Sequence, residues 1–296
     1  MADRPTVGFI GAGRAAGVVG VALARAGYEI VAVGSRTMTS AESVATRIRD
    51  AGCERCAAMA SQAVADTAEL VLVTTIDAAI SEVAGALRWR SGQAVVHCSG
   101  ALSLETLAAA RRQGADIGSW HPFQTLTGLA RLEGATFGIE AGGALYERLA
   151  AMTRDVGGTP LPVPSEARVL YHAASVLSCG YLTTLLREAR RLWECAGLPA
   201  DAAMPAIGAI AEATLANARA MGVEATITGP TSRGDAGTVR MHLEAIADRA
   251  PELLPLYAAI SARSAALANE AGRPTRPVEE WEALFEEYVT SRIEER

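Results

Sequence analysis

Near the N-terminus an apolar, β-branched run, Thr6–Ile10, breaks at Gly11-Ala-Gly13-Arg-Ala-Ala16 and passes directly into an Ala- and Val-rich stretch of helical character. Few folds accommodate that order of strand, glycine turn and helix. It is the dinucleotide fingerprint with Ala in the third small position. Gly11 allows a tight turn, Gly13 lets a pyrophosphate approach the backbone, and Ala16 allows helix and strand to pack closely. The first helical turn then offers unpaired N–H groups and a partial positive charge to the phosphates. Gly11, Gly13, Arg14, Ala15 and Ala16 are therefore the expected phosphate-side contacts. A turn with purely structural duties is the competing reading.

The end of the second strand indicates which nucleotide. A site for NAD places Asp or Glu there to hold the ribose 2′-hydroxyl. This chain has Val33-Gly34-Ser35-Arg36-Thr37 instead. A hydroxyl and a guanidinium suit a 2′-phosphate, and no carboxylate stands by to repel it. NADP is the expected cofactor, held by Ser35 and Arg36; a solvated surface Arg36 is the alternative. Thr74, Thr75 and Ser99, at the ends of later strands, complete the expected cofactor contacts.

Through residues 1–160, short β-branched runs alternate with Ala-rich helical stretches, the pattern of a parallel sheet with crossover helices. Strands are expected at Thr6–Ile10, Tyr28–Val33, Leu70–Thr74, Ala94–His97 and Thr136–Ile139. Helices are expected at Arg14–Ala26, Thr39–Arg49, Ala78–Leu87, Leu104–Arg112 and Ala144–Val156. Between Ser119 and Leu126 the pattern loosens into a loop. Gly157–Pro164, with three prolines and two glycines, marks a domain boundary. Beyond it only helices are expected: Glu166–Gly197, Ala200–Met221, Gly237–Asp248, Pro251–Ala271 and Val278–Ile293. The fold class is a doubly wound parallel α/β domain, 1–160, followed by an all-helical domain, 161–296.

Composition narrows the chemistry. A net charge of −6 and a pI near 5.4 exclude nucleic acid as the main ligand, since phosphate neutralisation needs a basic face. All 27 basic residues are Arg, which removes Schiff-base and P-loop lysine chemistry. The apolar run after Arg4 stops at Gly11, too short for a secretory leader, and an odd number of cysteines fits reduced thiols in a cytoplasm. Val169–Leu186 has membrane-span length without Asp, Glu or Arg. Its histidine, tyrosines and hydroxyls point to a helix buried between protein layers rather than to a membrane. Cys53-Glu-Arg-Cys56 has metal-ligand spacing but no second pair, so no metal is expected.

Four separated motifs carry the rest. Val96-His97-Cys98-Ser99-Gly100-Ala101-Leu102, Trp120-His121-Pro122-Phe123-Gln124-Thr125, Tyr171-His172-Ala173-Ala174, and Thr228-Gly229-Pro230 with Arg233-Gly234-Asp235 follow one another in the chain. Together they resemble a bacterial family that joins a Rossmann-like domain to a helical domain of unknown function, over residues 5 to 265. Its members are described as predicted NADP-dependent oxidoreductases. The group is similar to 6-phosphogluconate dehydrogenase-like enzymes, among them ketopantoate and pyrroline-5-carboxylate reductases. The resemblance implies a helical C-terminal domain for substrate and dimerisation, hence a homodimer, and a small-molecule substrate. Two positions depart from the family pattern: Cys179-Gly180 stands where Ser-Asn is expected, and Arg168 where Lys is expected. An Arg does not release its proton as a buried Lys can.

Arg168 and His172 are four residues apart and share a helix face. In related hydroxyacid dehydrogenases a Lys-x-x-x-Asn pair occupies a similar place facing the nicotinamide. By that likeness Arg168 is expected to clamp a carboxylate or oxyanion, and His172 to act as general acid, a role imidazole suits near neutral pH. A structural, hydrogen-bonded His172 is the alternative. His121 is expected on a loop beyond the sheet's carboxyl edge, placing substrate or sharing the acid role. His97 is expected to cap its strand, and Asp77 its helix. Thr228, Arg233 and Asp235, on a Gly- and Pro-punctuated loop, are expected to contact substrate, with Asp235 as a plain helix cap the competing reading. The expected activity is NADPH-dependent hydride transfer to a small, carboxylate-bearing carbonyl or imine compound. A protein that binds or senses NADP(H) without turnover is the reading from another class.

Overall fold

The β-branched runs form one eight-stranded sheet. In chain order the elements are β1 (Val7–Ile10), α1 (Arg14–Arg25), β2 (Ile30–Gly34), α2 (Met38–Asp50), β3 (Ala57–Met59), α3 (Ser61–Thr67) and β4 (Leu70–Val73). They continue with α4 (Asp77–Ala86), β5 (Ala94–His97), a 3-10 turn at Leu104–Leu107, α5 (Ala108–Arg112), β6 (Asp116–Phe123), β7 (Thr136–Ala141), α6 (Gly143–Asp155) and β8 (Thr159–Pro162). The spatial order is β3-β2-β1-β4-β5-β6-β7-β8. Neighbours from β3 to β6 run parallel, β7 is antiparallel to β6, and β8 is parallel to β7. The order reverses between β1 and β4, and the crevice outside the carboxyl ends of these strands is where open α/β sheets bind ligands. The computed structural model describes residues 4–127, 130–273 and 276–293, with side chains as far as 289. Residues 294–296 lie outside the described residues.

Strands β1, β4 and β5 are buried along their whole length, as near-continuous apolar runs in a sheet covered on both faces must be. Side-chain alternation divides the core. Val7, Phe9, Leu70, Leu72 and Val96 pack with α1, α2 and α6, while Ile10, Val71, Val73 and Val95 pack with α3, α4 and α5.

Three strands lie where the sequence pattern shows none. The stretch expected to be a loop from Ser119 is the second half of β6, whose ladder with β7 runs from Gly118 to Phe123. Trp120 anchors it: the ring is fully buried, stacks on Phe137 at 4.7 Å and donates from Nε1 to Thr153 Oγ1 at 2.7 Å. An aromatic pair of this kind adds about 1 kcal/mol beyond its buried area. The polar Ser119 and His121 and the ring of Pro122 conceal the strand because they break the apolar run. β3 and α3 escape notice because they are short and built from Ala. β8 lies inside the Gly157–Pro164 segment expected to separate domains; prolines are tolerated there because β8 is the edge strand.

The chain divides into two compact units between Gly180 and Tyr181. The first closes with α7 (Arg168–Val176), which continues into a π-helical turn at Leu177–Tyr181. The second consists of α8 (Leu182–Cys195), α9 (Ala200–Met221), α10 (Val223–Thr226), α11 (Ala236–Arg249), α12 (Leu254–Glu270) and α13 (Val278–Ile293). Val239, Leu243, Ile246, Leu254 and Ala265 form its core with Trp281, Leu284 and Phe285. The stretch from Val169 to Leu186, expected to be buried, is largely exposed: Leu170 is 78% and Leu177 63% accessible. Ser165–Cys195 is long and apolar enough to cross a membrane by length and composition alone.

Candidate active site

The glycine turn after β1 is shaped by what stands over it. Gly11 has φ +111°, and a Cβ there would lie 2.5 Å from the Thr74 carbonyl carbon and the Thr75 nitrogen. Only glycine fits both the dihedral and the contact. Thr74 Oγ1 locks the turn by donating to the Gly11 carbonyl at 2.7 Å. Gly13 precedes α1 as its N-cap, with no side-chain cap and no acidic residue in the first turn. A Cβ on Gly13 would meet nothing nearer than the Thr74 oxygen at 4.0 Å, so the space above the helix terminus is open. Ala16 is fully buried against the sheet, whereas Arg14 is exposed and Ala15 half-buried.

Two further observations fit a phosphorylated dinucleotide. The Thr75 hydroxyl oxygen is buried and finds no hydrogen-bond partner among the described residues. At the end of β2, Ser35 is half-buried and Arg36 exposed, and no described residue pairs with the Arg36 guanidinium. A free cation, an orphaned hydroxyl and an uncapped helix terminus at one sheet edge suit NADP. Among the described residues no cluster of His, Cys, Asp or Glu could hold a metal.

Further along the same edge, β5, β6 and α7 bring together a second group. Gly100, just past β5, is pressed between two histidines: a Cβ there would lie 2.6 Å from His172 Cδ2 and 2.8 Å from His121 Nε2. The two imidazoles stand edge to face with centroids 5.9 Å apart. His121 Nδ1 is 2.9 Å from the Tyr171 hydroxyl. Burial, then the positive charges of His172 and Arg168, lower His121 to about 4, so it is neutral at physiological pH. Burial raises Tyr171 to about 12. His97 is fully enclosed, and burial followed by Arg168 lowers it to about 3. Its place at the end of β5 gives it no access to ligand. A cleft of about 130 Å³ lies beside this group, lined by His121, Phe123, Gln124, Thr125, Ser175, Ser178 and Cys179.

Two residues expected to touch ligand have internal partners. Ser99 is expected to touch the cofactor, but its hydroxyl donates to Asp77 Oδ2 at 2.7 Å and accepts from the Ala101 and Leu102 amides at 3.3 and 3.2 Å. One proton and two lone pairs are then used. Ser99 organises the loop that carries Gly100, and Asp77, at the start of α4, is its anchor. Arg168 is expected to clamp a carboxylate, but its side chain is 1% exposed. Its Nη2 donates to the Ser99 carbonyl and, at 2.6 Å, to Ser119 Oγ; Nη1 reaches Glu140 Oε2 at 3.5 Å. It ties α7 to the loop after β5 and to β6 and β7. His121, for its part, lies on a strand and not on a loop. Tyr171 and Gly100 sit inside the motifs but stand out as single residues only in the structure; a tyrosine beside a histidine carries no signal until β6 brings His121 to it.

The loop residues belong to the second unit. Asp235 is the N-cap of α11, accepting from the Thr238 amide at 3.0 Å and its hydroxyl at 2.7 Å, which is the plain capping role. Those hydrogen bonds, the amide first, lower its pKa. Arg233 and Thr228 are exposed. The loop itself is braced: Arg273 donates to the Ala225 and Ile227 carbonyls and Arg276 to that of Gly234.

Residues 1–122 match the model of a Rossmann-like domain and residues 135–264 that of a Domain of unknown function (DUF2520). The chain is therefore a Rossmann-like protein carrying a DUF2520 domain, the combination its motifs resemble. No curated protein sequence matches it. A candidate NADP oxidoreductase of Bacteroides fragilis superposes with TM-score 0.76 at 24% identity, covering 89% of this chain and 98% of its own. Pyrroline-5-carboxylate reductase of Streptococcus pyogenes gives 0.64 at 17% identity, covering 90% and 98%. The reductive aminase of Aspergillus terreus, in complex with NADPH and ethyl levulinate, gives 0.66 at 19% identity, covering 96% and 100%. At these identities the likeness is one of fold.

Proposed function

We propose that the protein is an NADPH-dependent reductase that transfers hydride to a small carbonyl or imine compound. The observation that carries this reading is the shared sheet edge. The open glycine turn and unpaired Arg36 occupy one part of it, and the His121–Tyr171–His172 group with its cleft occupies another. Solved structures of the same fold whose names include NADPH, imine reduction and pyrroline-5-carboxylate reduction support it.

In this reading the α1 terminus, Gly13 and Thr75 hold the diphosphate, and Ser35 and Arg36 hold the 2′-phosphate. NADPH, when bound, supplies the hydride. The chain supplies orientation and a proton. His172, half-buried beside Gly100, donates a proton to the oxygen or nitrogen being reduced, and neutral His121 places that atom by hydrogen bonding. Arg168 keeps the β5, β6 and α7 termini in register rather than binding substrate, so a carboxylate on the substrate is no requirement of the site.

The same proposal includes a homodimer. Exposed Val169, Leu170 and Leu177, and separately Ile210 and Leu215 on α9, form apolar surface that a second copy would cover. A bilayer suits α7 poorly, because Arg168 fastens its first turn to the sheet.

Loss of NADPH absorbance over a panel of cyclic imines, 2-oxo acids and ketopantoate tests the activity. The reading expects turnover with at least one class, reduced about 100-fold or more in His172→Ala and unchanged in Cys53→Ala. The commitment of Arg168 to internal partners favours one other reading, a non-catalytic NADP(H)-binding protein. Tight NADPH binding without oxidation across the panel decides for it.

A further inference from the structure

We infer that Tyr171 is the positioning residue that fixes the tautomer of His121, holding its proton on Nε2 so that the ring presents a neutral N–H donor beside Gly100 and His172. The assignment follows from the contacts of one half-buried phenol. The Tyr171 hydroxyl must give its proton to an acceptor, and two are within reach: His121 Nδ1 at 2.9 Å and the His121 carbonyl at 3.4 Å. The shorter contact makes the better hydrogen bond. The phenol oxygen also lies close against β7, 2.6 Å from where a Gly138 Cβ would stand. A proton on His121 Nδ1 would leave the phenol hydrogen only its longer contact. Donation from Tyr171 to Nδ1 gives that hydrogen the shorter contact. The proton of neutral His121 is then on Nε2.

The surroundings keep the ring in that state. From α7, Arg168 and His172 face His121, and from β5, His97; no carboxylate is among the groups acting on it. Two histidines therefore stand edge to face with separate duties: His121 a fixed neutral donor, His172 the general acid of the proposed reaction. Gly100 permits this pairing because a side chain there would part the rings. The catalytic consequence rests on the reductase reading above; the tautomer does not.

The test is nitrogen-detected NMR of the full chain labelled with ¹⁵N-histidine, in wild type and Tyr171→Phe, between about pH 5 and 8. The chain has four histidines, so His121→Gln assigns the signal. The expected result is a His121 neutral across this range with its proton on Nε2. In Tyr171→Phe the preference for that tautomer weakens roughly five- to tenfold, the leverage of one neutral hydrogen bond, and kcat falls by a similar factor with the KM for NADPH unchanged. A His121 protonated on Nδ1 in the wild type overturns the inference, as does an unaltered tautomer in Tyr171→Phe. Should the variant fail to fold, the wild-type spectrum decides alone. Absence of turnover alongside the expected tautomer counts against the reductase reading and leaves Tyr171's role standing.

Discussion

Replacing Arg168 with Met separates an internal tether from a substrate clamp. The guanidinium donates to the Ser99 carbonyl and Ser119 Oγ and pairs with Glu140, in a side chain 1% exposed. Burial lowers its pKa and Glu140 opposes that effect, so the charge is held by its partners. Met fills much of the same volume, which limits any cavity cost. It removes the guanidinium from the Glu140 carboxylate and leaves the Ser99 carbonyl only the longer bond from Ser119 Oγ at 3.4 Å. Removing one member of a buried pair costs about 3–5 kcal/mol. Glu140 keeps the Ser165 hydroxyl and is 16% exposed, which points to the lower end, about 3 kcal/mol. At about 2–4 °C per kcal/mol for a domain of this size, thermal unfolding followed by circular dichroism should show Tm lowered by about 6–12 °C. Arg168→Lys should recover part of this loss, as a charge without the planar fork. A substrate clamp would behave in the opposite way: removing a cation that awaits a ligand leaves Tm unchanged or raises it. An Arg168→Met protein that melts with the wild type refutes the tether.

Other outcomes follow from the same geometry. Arg36→Ser should weaken NADPH binding by about 10- to 100-fold, the loss of a charge-assisted hydrogen bond, with NADH binding unchanged; equal losses for both would place Arg36 away from the 2′-phosphate. His121 and His97 are held near 4 and 3, below the ordinary 6.5. The unfolded chain therefore takes up protons that the folded chain refuses. Their burden on stability is absent above about pH 6.5 and grows as pH falls toward 4, at up to about 1.4 kcal/mol per pH unit for each ring. Urea unfolding at pH 7 and pH 5 should show that decline, and His121→Gln should remove about half of it; a flat profile contradicts the burial of both rings. Leu170→Glu, at an exposed α7 position, should shift the sedimentation of a dimer toward monomer. Unchanged sedimentation of a dimer would move the interface elsewhere.

The central sheet and the helices were legible because their physics is local. β5, α9 and α13 have the bounds the pattern implies, and α1, α2, α4, α6 and α11 differ by a residue or so, since apolar runs and Ala-rich periodicity persist along the chain; the single helix expected over Glu166–Gly197 is instead α7, a π-helical turn and α8. β6 and β8 were not legible, because Pro122 and the prolines of Gly157–Pro164 speak for turns, and only pairing with β7 turns them into strands. The glycine turn was readable for a similar reason to the helices: its dihedral and its open space belong to a short contiguous stretch. The second group was readable only as a set of motifs. Which atoms face one another depends on contacts across 20 to 69 residues, such as Arg168 to Ser99 and Ser119. That is why Arg168 and Ser99, plausible ligand contacts by residue type, prove to be fastened to the protein itself, while Tyr171 gains its place only when β6 lies beside α7.

Isothermal titration of the full chain with NADPH and with NADH addresses the central claim directly. The account requires NADPH to bind at one site per chain and NADH at least about tenfold more weakly, the difference supplied by the 2′-phosphate at Ser35 and Arg36. No heat with either coenzyme, or equal affinity for both, would contradict it.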